Sequence, residues 1–275
     1  MLTLSDPTTG ATLTIEPARG GLVTRFEVAG RPVLYLDDAT LRDPTKNVRG
    51  GVPVLFPAPG KLVDDAWAYA GARGAMKQHG FARNLAWQVV RAEPRAATLR
   101  LTASDATRAQ FPWDFEVEHA IGLTGTTVRL AQRVTNHDRT AMPFGFGFHP
   151  YFFVPDADKP ATRIATAATR GFDNVGKREV AITGPIDLAR PEVDLHLLDH
   201  GATASALRSP GLEVALRGSA EYTHWVVWTL AGKDFVCLEP WTCPGNALNT
   251  GDRLLVLAPG ASRTMWIEIE ARAGG

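Results

Sequence analysis

Only two of the 275 residues are cysteine, Cys237 and Cys243. No second cysteine pair accompanies them, which excludes a zinc-ribbon arrangement. Two thiols in so long a chain read as ordinary free cysteines of a reducing compartment. Charge of neither sign is in excess, since 29 Lys and Arg balance 29 Asp and Glu. A nucleic-acid or anionic-membrane surface normally carries a basic surplus, so neither partner is expected. The opening residues, Met1-Leu-Thr-Leu-Ser-Asp-Pro, lack the basic start and apolar stretch of a secretory signal. No run approaches the ~18 apolar residues of a membrane span, and no Asn-x-Ser/Thr sequon occurs. A cytoplasmic enzyme or binding protein is the expectation.

Helical periodicity is scarce too, limited to about one turn around Ser104–Ala109. What is present alternates with period two. Ala11, Leu13 and Ile15 alternate with polar neighbours; so do Phe115, Val117, His119 and Ile121, and Met265, Ile267 and Ile269. Such alternation buries one face of a strand. Turn signals separate the runs at Ala29–Pro32, Gly122–Gly125, Ser209–Gly211 and Ala258–Gly260. No linker or repeat divides the chain. The pattern predicts one all-β unit over residues 1–275, a large antiparallel β-sandwich. A chain of this length holds a core without a structural metal.

Four segments break the pattern: NVRGGVPVLFPAPGKL (47–62), QHGFARNLAW (78–87), PFGFGFHPYFFVP (143–155) and FVCLEPWTCPGNALNTG (235–251). They combine Gly, Pro and aromatics with a few ionisable groups, the make-up of loops that build sites. His149 lies between Phe148 and Pro150 and must find a polar partner there. It fits a satisfied core histidine as well as a functional one. Glu239 ends the apolar run Phe235–Leu238, and Pro240 is expected to stop the strand behind it. A carboxylate held there is either an ion-pair partner or a positioned general base. Arg49 precedes Gly50-Gly51, which let a backbone approach a ligand. His79 stands in a Gly-Phe turn, and both also fit ordinary surface residues. His196 and His200 are four apart, but the segment reads as extended, which would set them ~13 Å apart and unable to share a metal.

Together the four blocks resemble the aldose 1-epimerase (galactose mutarotase) family, from about Leu13 to Glu270. The first two blocks are similar to its hexose-6-phosphate 1-epimerase-like branch, and the EPWTCPGNALNTG block to the general aldose epimerases. The resemblance implies a galactose mutarotase-like supersandwich with an open cleft on one sheet. It implies Glu239 as general base and His149 as general acid. His79 and Arg49 would bind the sugar, as would an aspartate, for which Asp194 is the first choice and Asp199 the competitor. It implies a small-molecule sugar substrate, with no cofactor and no metal. One base and one acid open the ring: the C1 hydroxyl loses a proton as O5 gains one, the aldehyde rotates about C1–C2, and the ring recloses on its other face. Reference pKa values near 4.3 for Glu and 6.5 for His would let carboxylate and imidazolium coexist between them. Trp67, Phe148, Tyr151 and Trp241 are candidates for stacking on the sugar, and Arg49, Lys61, Lys77 and Arg83 for holding a phosphate. Two rivals stand beside this enzyme: a non-catalytic carbohydrate-binding protein on the same sandwich, and a metal-dependent isomerase or lyase.

Overall fold

The computed structural model describes residues 1–273; Gly274 and Gly275, the end of the expected 1–275 unit, lie outside the described residues. Two eight-stranded sheets dominate, and every strand pairing within them is antiparallel. The first sheet takes Phe115–Thr124 and Thr127–Asn136 as its central hairpin and extends through Ser262–Ala273 to Leu212–Gly218. The second runs in the order Arg178–Ala181, Arg170–Asp173, Glu192–Leu197, His224–Leu230, Phe235–Trp241, Gly147–Phe148, Val54–Leu55, with Tyr151–Phe153 also paired to Phe235–Trp241. This is the expected large antiparallel β architecture.

The alternating runs became strands because their apolar faces share one core. Phe115, Val117, His119, Ile121 and Leu123 are all buried, while the residues between them are partly or fully exposed. That alternation continues past Gly122, so the hairpin turns at Gly125 and Thr126 rather than at 122–125. Gly125 has φ +58°, a left-handed value that suits a glycine turn. The single helical turn expected near Ser104 is Asp105–Arg108, closed by reciprocal bonds between Ser104 and Thr107.

The core is aromatic. Phe56 lies 5.1–6.3 Å from Phe81, Phe111, Phe115, Phe144 and Phe146, with three of the five contacts edge-on. One such ring is worth about 3–5 kcal/mol against its replacement by alanine. Phe56 lies within the 47–62 segment and Phe144 and Phe146 open the 143–155 segment, so this block ties both segments into the core. No helix among the described residues is long and apolar enough to cross a membrane.

Candidate active site

A cleft of about 910 Å³ opens on the second sheet, and all four interrupting segments reach it. That is the size of a small-molecule site. Its floor is set by strand register. Glu239 stands opposite Val226, which stands opposite His196; Cys237, Trp228 and Asp194 form the neighbouring row. Because side chains alternate along each strand, these rows place Glu239, Asp194 and His196 on one face.

The Glu239 strand does not stop at proline: it runs from Phe235 through Pro240 to Trp241. On one side it pairs with Tyr151–Phe153 as far as Cys237, and with Gly147 at Trp241. Pro240 is accommodated where the ladder changes partner, so its missing N–H removes little. His149 occupies the break between those two short strands. The register is unshifted across that break, Tyr151 opposite Cys237 and Gly147 opposite Trp241, so His149 falls opposite Glu239, with its Nε2 3.3 Å from Glu239 Oε1.

Glu239 is 1% exposed, and its other oxygen accepts a hydrogen bond from the Trp241 indole N–H at 3.2 Å. Burial, and then the charge of Asp194, push its carboxyl well above the ordinary range. Burial, and then Arg83, bring His149 down to about 3. The two shifts oppose the distribution expected from reference values. With Glu239 raised and His149 lowered, the carboxyl holds a proton in preference to the imidazole. His149 stacks on Tyr151 at 4.7 Å, and its Nδ1 is buried without a partner.

His79 closes the far wall, edge-on to both His149 and Trp241 at 5.6 Å. The Gly60 N–H donates to its Nδ1 at 3.0 Å, so the neutral ring carries its proton on Nε2. The Gln78 amide lies 3.1 Å from that atom and must turn its oxygen there to accept. Burial first, then Arg83, hold His79 well below the usual histidine range. Its backbone sits at φ +69°, sparsely populated for a side chain other than glycine. The next residue is Gly80, where a Cβ would lie 2.2 Å from the Phe56 carbonyl oxygen. Only glycine lets the turn approach the core so closely.

Arg49 and Asp194 also line the cleft. The Arg49 guanidinium sits 6.0 Å from the Trp228 ring centroid. Asp194 accepts from the Asn174 amide at 2.6 Å. The competitor, Asp199, is turned outward, where it accepts from Thr169 and the Arg170 backbone. Of the four candidate stacking aromatics, Tyr151 and Trp241 face the cleft. Phe148 does not: it follows Gly147 in a strand and points between the sheets, against His119, Phe146 and Tyr222. Trp67 packs on Phe111 and Trp113 and bonds the Gln110 carbonyl. Lys61 and Arg83 reach the cleft, whereas Lys77 pairs with Asp65 at 2.8 Å.

Sequence reasoning missed Trp228, Phe172 and His224, and gave His196 no role. All four line the cleft. His200, its expected non-partner, is bound elsewhere to Thr166 and the Ala204 carbonyl. Among the described residues, His149, Cys237 and Glu239 place ligand-type atoms within 4.8 Å of one another. Burial holds the Cys237 thiol protonated, well above its usual value, so metal would have to displace that proton.

The family model described as aldose 1-epimerase matches residues 1–270. The crystal structure of the Slr1438 protein from Synechocystis sp. PCC 6803 superposes with a TM-score of 0.94 at 38% identity, covering 98% of this chain and 94% of that one. A structure from Escherichia coli K12, provisionally named an aldose 1-epimerase, shares the fold with a TM-score of 0.83 at 20% identity, covering 99% and 98%. In sequence, a Cenchrus ciliaris protein provisionally named glucose-6-phosphate 1-epimerase is 28% identical over 58% of this chain, a match spanning 49% of that protein.

Proposed function

The chain belongs to the aldose 1-epimerase family, and on that premise we propose that it interconverts the α and β anomers of a hexose or hexose 6-phosphate at the Glu239–His149 pair. The observation that carries this is a carboxyl and an imidazole 3.3 Å apart at the floor of a sugar-sized cleft. The two reacting oxygens, O1 and O5, are bonded to the same carbon, so an acid and a base this close together can serve both.

In the mechanism Glu239 takes the C1 hydroxyl proton while His149 delivers one to O5. The C1–O5 bond breaks with its electrons going to O5, and C1 becomes an aldehyde. After rotation about C1–C2, the roles reverse and the ring closes on the opposite face. The reactive form therefore has the proton on His149. Sugar hydroxyls entering the cleft supply the polar contacts that burial removed, and with them the carboxylate becomes accessible. Asp194 offers an acceptor to the remaining hydroxyls, and the His79 ring, edge-on to His149 and Trp241, walls the pocket. Tyr151, Trp228 and Trp241 exclude water and present apolar faces to the pyranose.

Hexose 6-phosphate is the proposed substrate class within this reaction. Arg49, Lys61 and Arg83 all come from the 47–83 side of the cleft, and the Cenchrus ciliaris relative is named for that sugar. Anomer exchange measured by NMR saturation transfer on glucose, galactose and their 6-phosphates tests both levels. Exchange with Glu239→Gln as the silent control supports the reaction. Binding of sugar with no exchange would replace it with the carbohydrate-binding rival.

A further inference from the structure

His196 stands outside the acid–base pair, yet its ring is wired in one direction. Its Nδ1 lies 2.9 Å from His224 Nε2, and His224 Nδ1 lies 3.2 Å from Arg253 Nη2. A guanidinium only donates. His224 Nδ1 must therefore accept, which leaves the proton of the neutral ring on Nε2. That proton faces His196 Nδ1, which must accept in turn. The His196 proton is then left on Nε2, the atom nearest Asp194, 3.7 Å from Oδ1. This gap is too long for a hydrogen bond.

Both rings are neutral for a physical reason: burial lowers each below the ordinary histidine range. A doubly protonated His196 would also set its Nδ1–H against the His224 proton. The Trp241 indole is edge-on to His196 at 5.5 Å and leans on His224 at 5.7 Å, holding both rings in place.

We propose that His196 is a substrate-positioning residue that presents a fixed N–H donor to the cleft, its polarity set by Arg253 through His224, and that with the acceptor Asp194 it reads a single sugar hydroxyl. That hydroxyl accepts from His196 and donates to Asp194, with its oxygen about 2.8 Å from each. An ether, a keto oxygen or a hydrogen in its place fails one half or both halves of the test. Such a site rejects an analogue lacking the hydroxyl because its buried polar groups are then left unpaired. The proposal rests on the sugar reading above for the identity of the ligand, but not on turnover.

The experiment has a spectroscopic arm and a binding arm. Nitrogen-15 imidazole spectra of the wild type should show His196 and His224 both protonated at Nε2. Arg253→Met removes the obligate donor and should let both rings populate the other tautomer. In calorimetric titrations with a hexose, His196→Leu should raise Kd about 3–10-fold, the worth of one ordinary hydrogen bond. His196→Gln, which keeps a donor amide, should stay within about threefold. Across a panel of monodeoxy hexoses, the His196→Leu penalty should vanish for one sugar and persist for the others. An Nδ1–H tautomer at His196, or an equal penalty on every deoxy sugar, overturns the proposal. A wild type that binds sugars in this pattern without exchanging anomers would sink the proposed reaction and leave the donor assignment standing.

Discussion

Glu239 and His149 are expected to fail together rather than one by one. Glu239→Gln keeps the shape of the side chain, and its amide oxygen can still accept from the Trp241 indole 3.2 Å away. What it loses is the ionisable group 3.3 Å from His149. One acid or base typically contributes ~10²–10⁴-fold, about 3–5 kcal/mol of barrier, so each single variant should lose that much in kcat. Independent groups would multiply in the double variant Glu239→Gln/His149→Gln. Two groups passing one proton form a unit, and the double variant should be no slower than the worse single one by more than about threefold. The control is stability. A carboxyl raised by burial costs the fold stability as pH rises above its unfolded value of 4.5. Glu239→Gln should therefore melt at or above the wild-type temperature at neutral pH. Saturation-transfer NMR measures the exchange rates and calorimetry the melting. A single variant within threefold of wild type, or a double variant falling by the product of the two, would refute the reasoning.

The same opposed shifts predict a pH profile. With His149 at about 3 and Glu239 raised, kcat/KM should show no acidic limb near the ordinary glutamate value of about 4.3; a limb there contradicts the opposed shifts. Acid should also destabilise the fold early. His149 and His119, lowered to about 3 and about 4 from 6.5, refuse protons that the unfolded chain accepts, so their contribution to stability is complete above pH 6.5 and falls below it, against the opposite trend of Glu239. Each group should remove about 2 kcal/mol by pH 5, and in a Glu239→Gln background, where the opposing carboxyl is gone, urea unfolding that is equal at pH 7 and pH 5 would disprove this. Arg83→Ala and Lys61→Ala should weaken the 6-phosphate at least tenfold and leave the free hexose within about twofold; equal losses on both sugars remove the phosphate assignment. Exhaustive EDTA should leave activity intact, and a loss restored by Zn²⁺ would move the chemistry to a metal at His149, Cys237 and Glu239.

The strands were legible wherever one face meets the core and the other meets water. Phe115–Thr124 is the clear instance, and even there the apolar Leu123 outvoted the glycine that suggested an earlier turn. The four interrupting segments were legible as site-formers because Gly, Pro and aromatics are poor strand material at that density. The 3.3 Å approach of His149 to Glu239 was not written in their spacing. It depends on the register of 147–153 against Phe235–Trp241, which is interrupted at His149 but not shifted. Phe148 and His149 show the limit of composition: adjacent residues of one aromatic block point to opposite faces, one into the core and one into the cleft. His196 and His224 meet only through the register of Glu192–Leu197 on His224–Leu230, which a single chain does not announce.

The strand that carries Glu239 has a further consequence for how such chains can diverge. Phe235, Cys237, Glu239 and Trp241 share one face, and Val236 and Leu238 share the other, all of them buried. A pleated strand has only two phases. Losing or gaining one residue ahead of Glu239 within this segment would exchange the faces, setting Leu238 or Pro240 against His149 and driving the carboxyl into hydrocarbon. Losing or gaining two would restore the phase. Length changes tolerated in this segment should therefore be even in number or confined to the loops at its ends, while the side chains themselves remain free to drift. A library of single-residue and double-residue deletions within 235–238, scored for soluble expression and sugar binding, would show that parity directly.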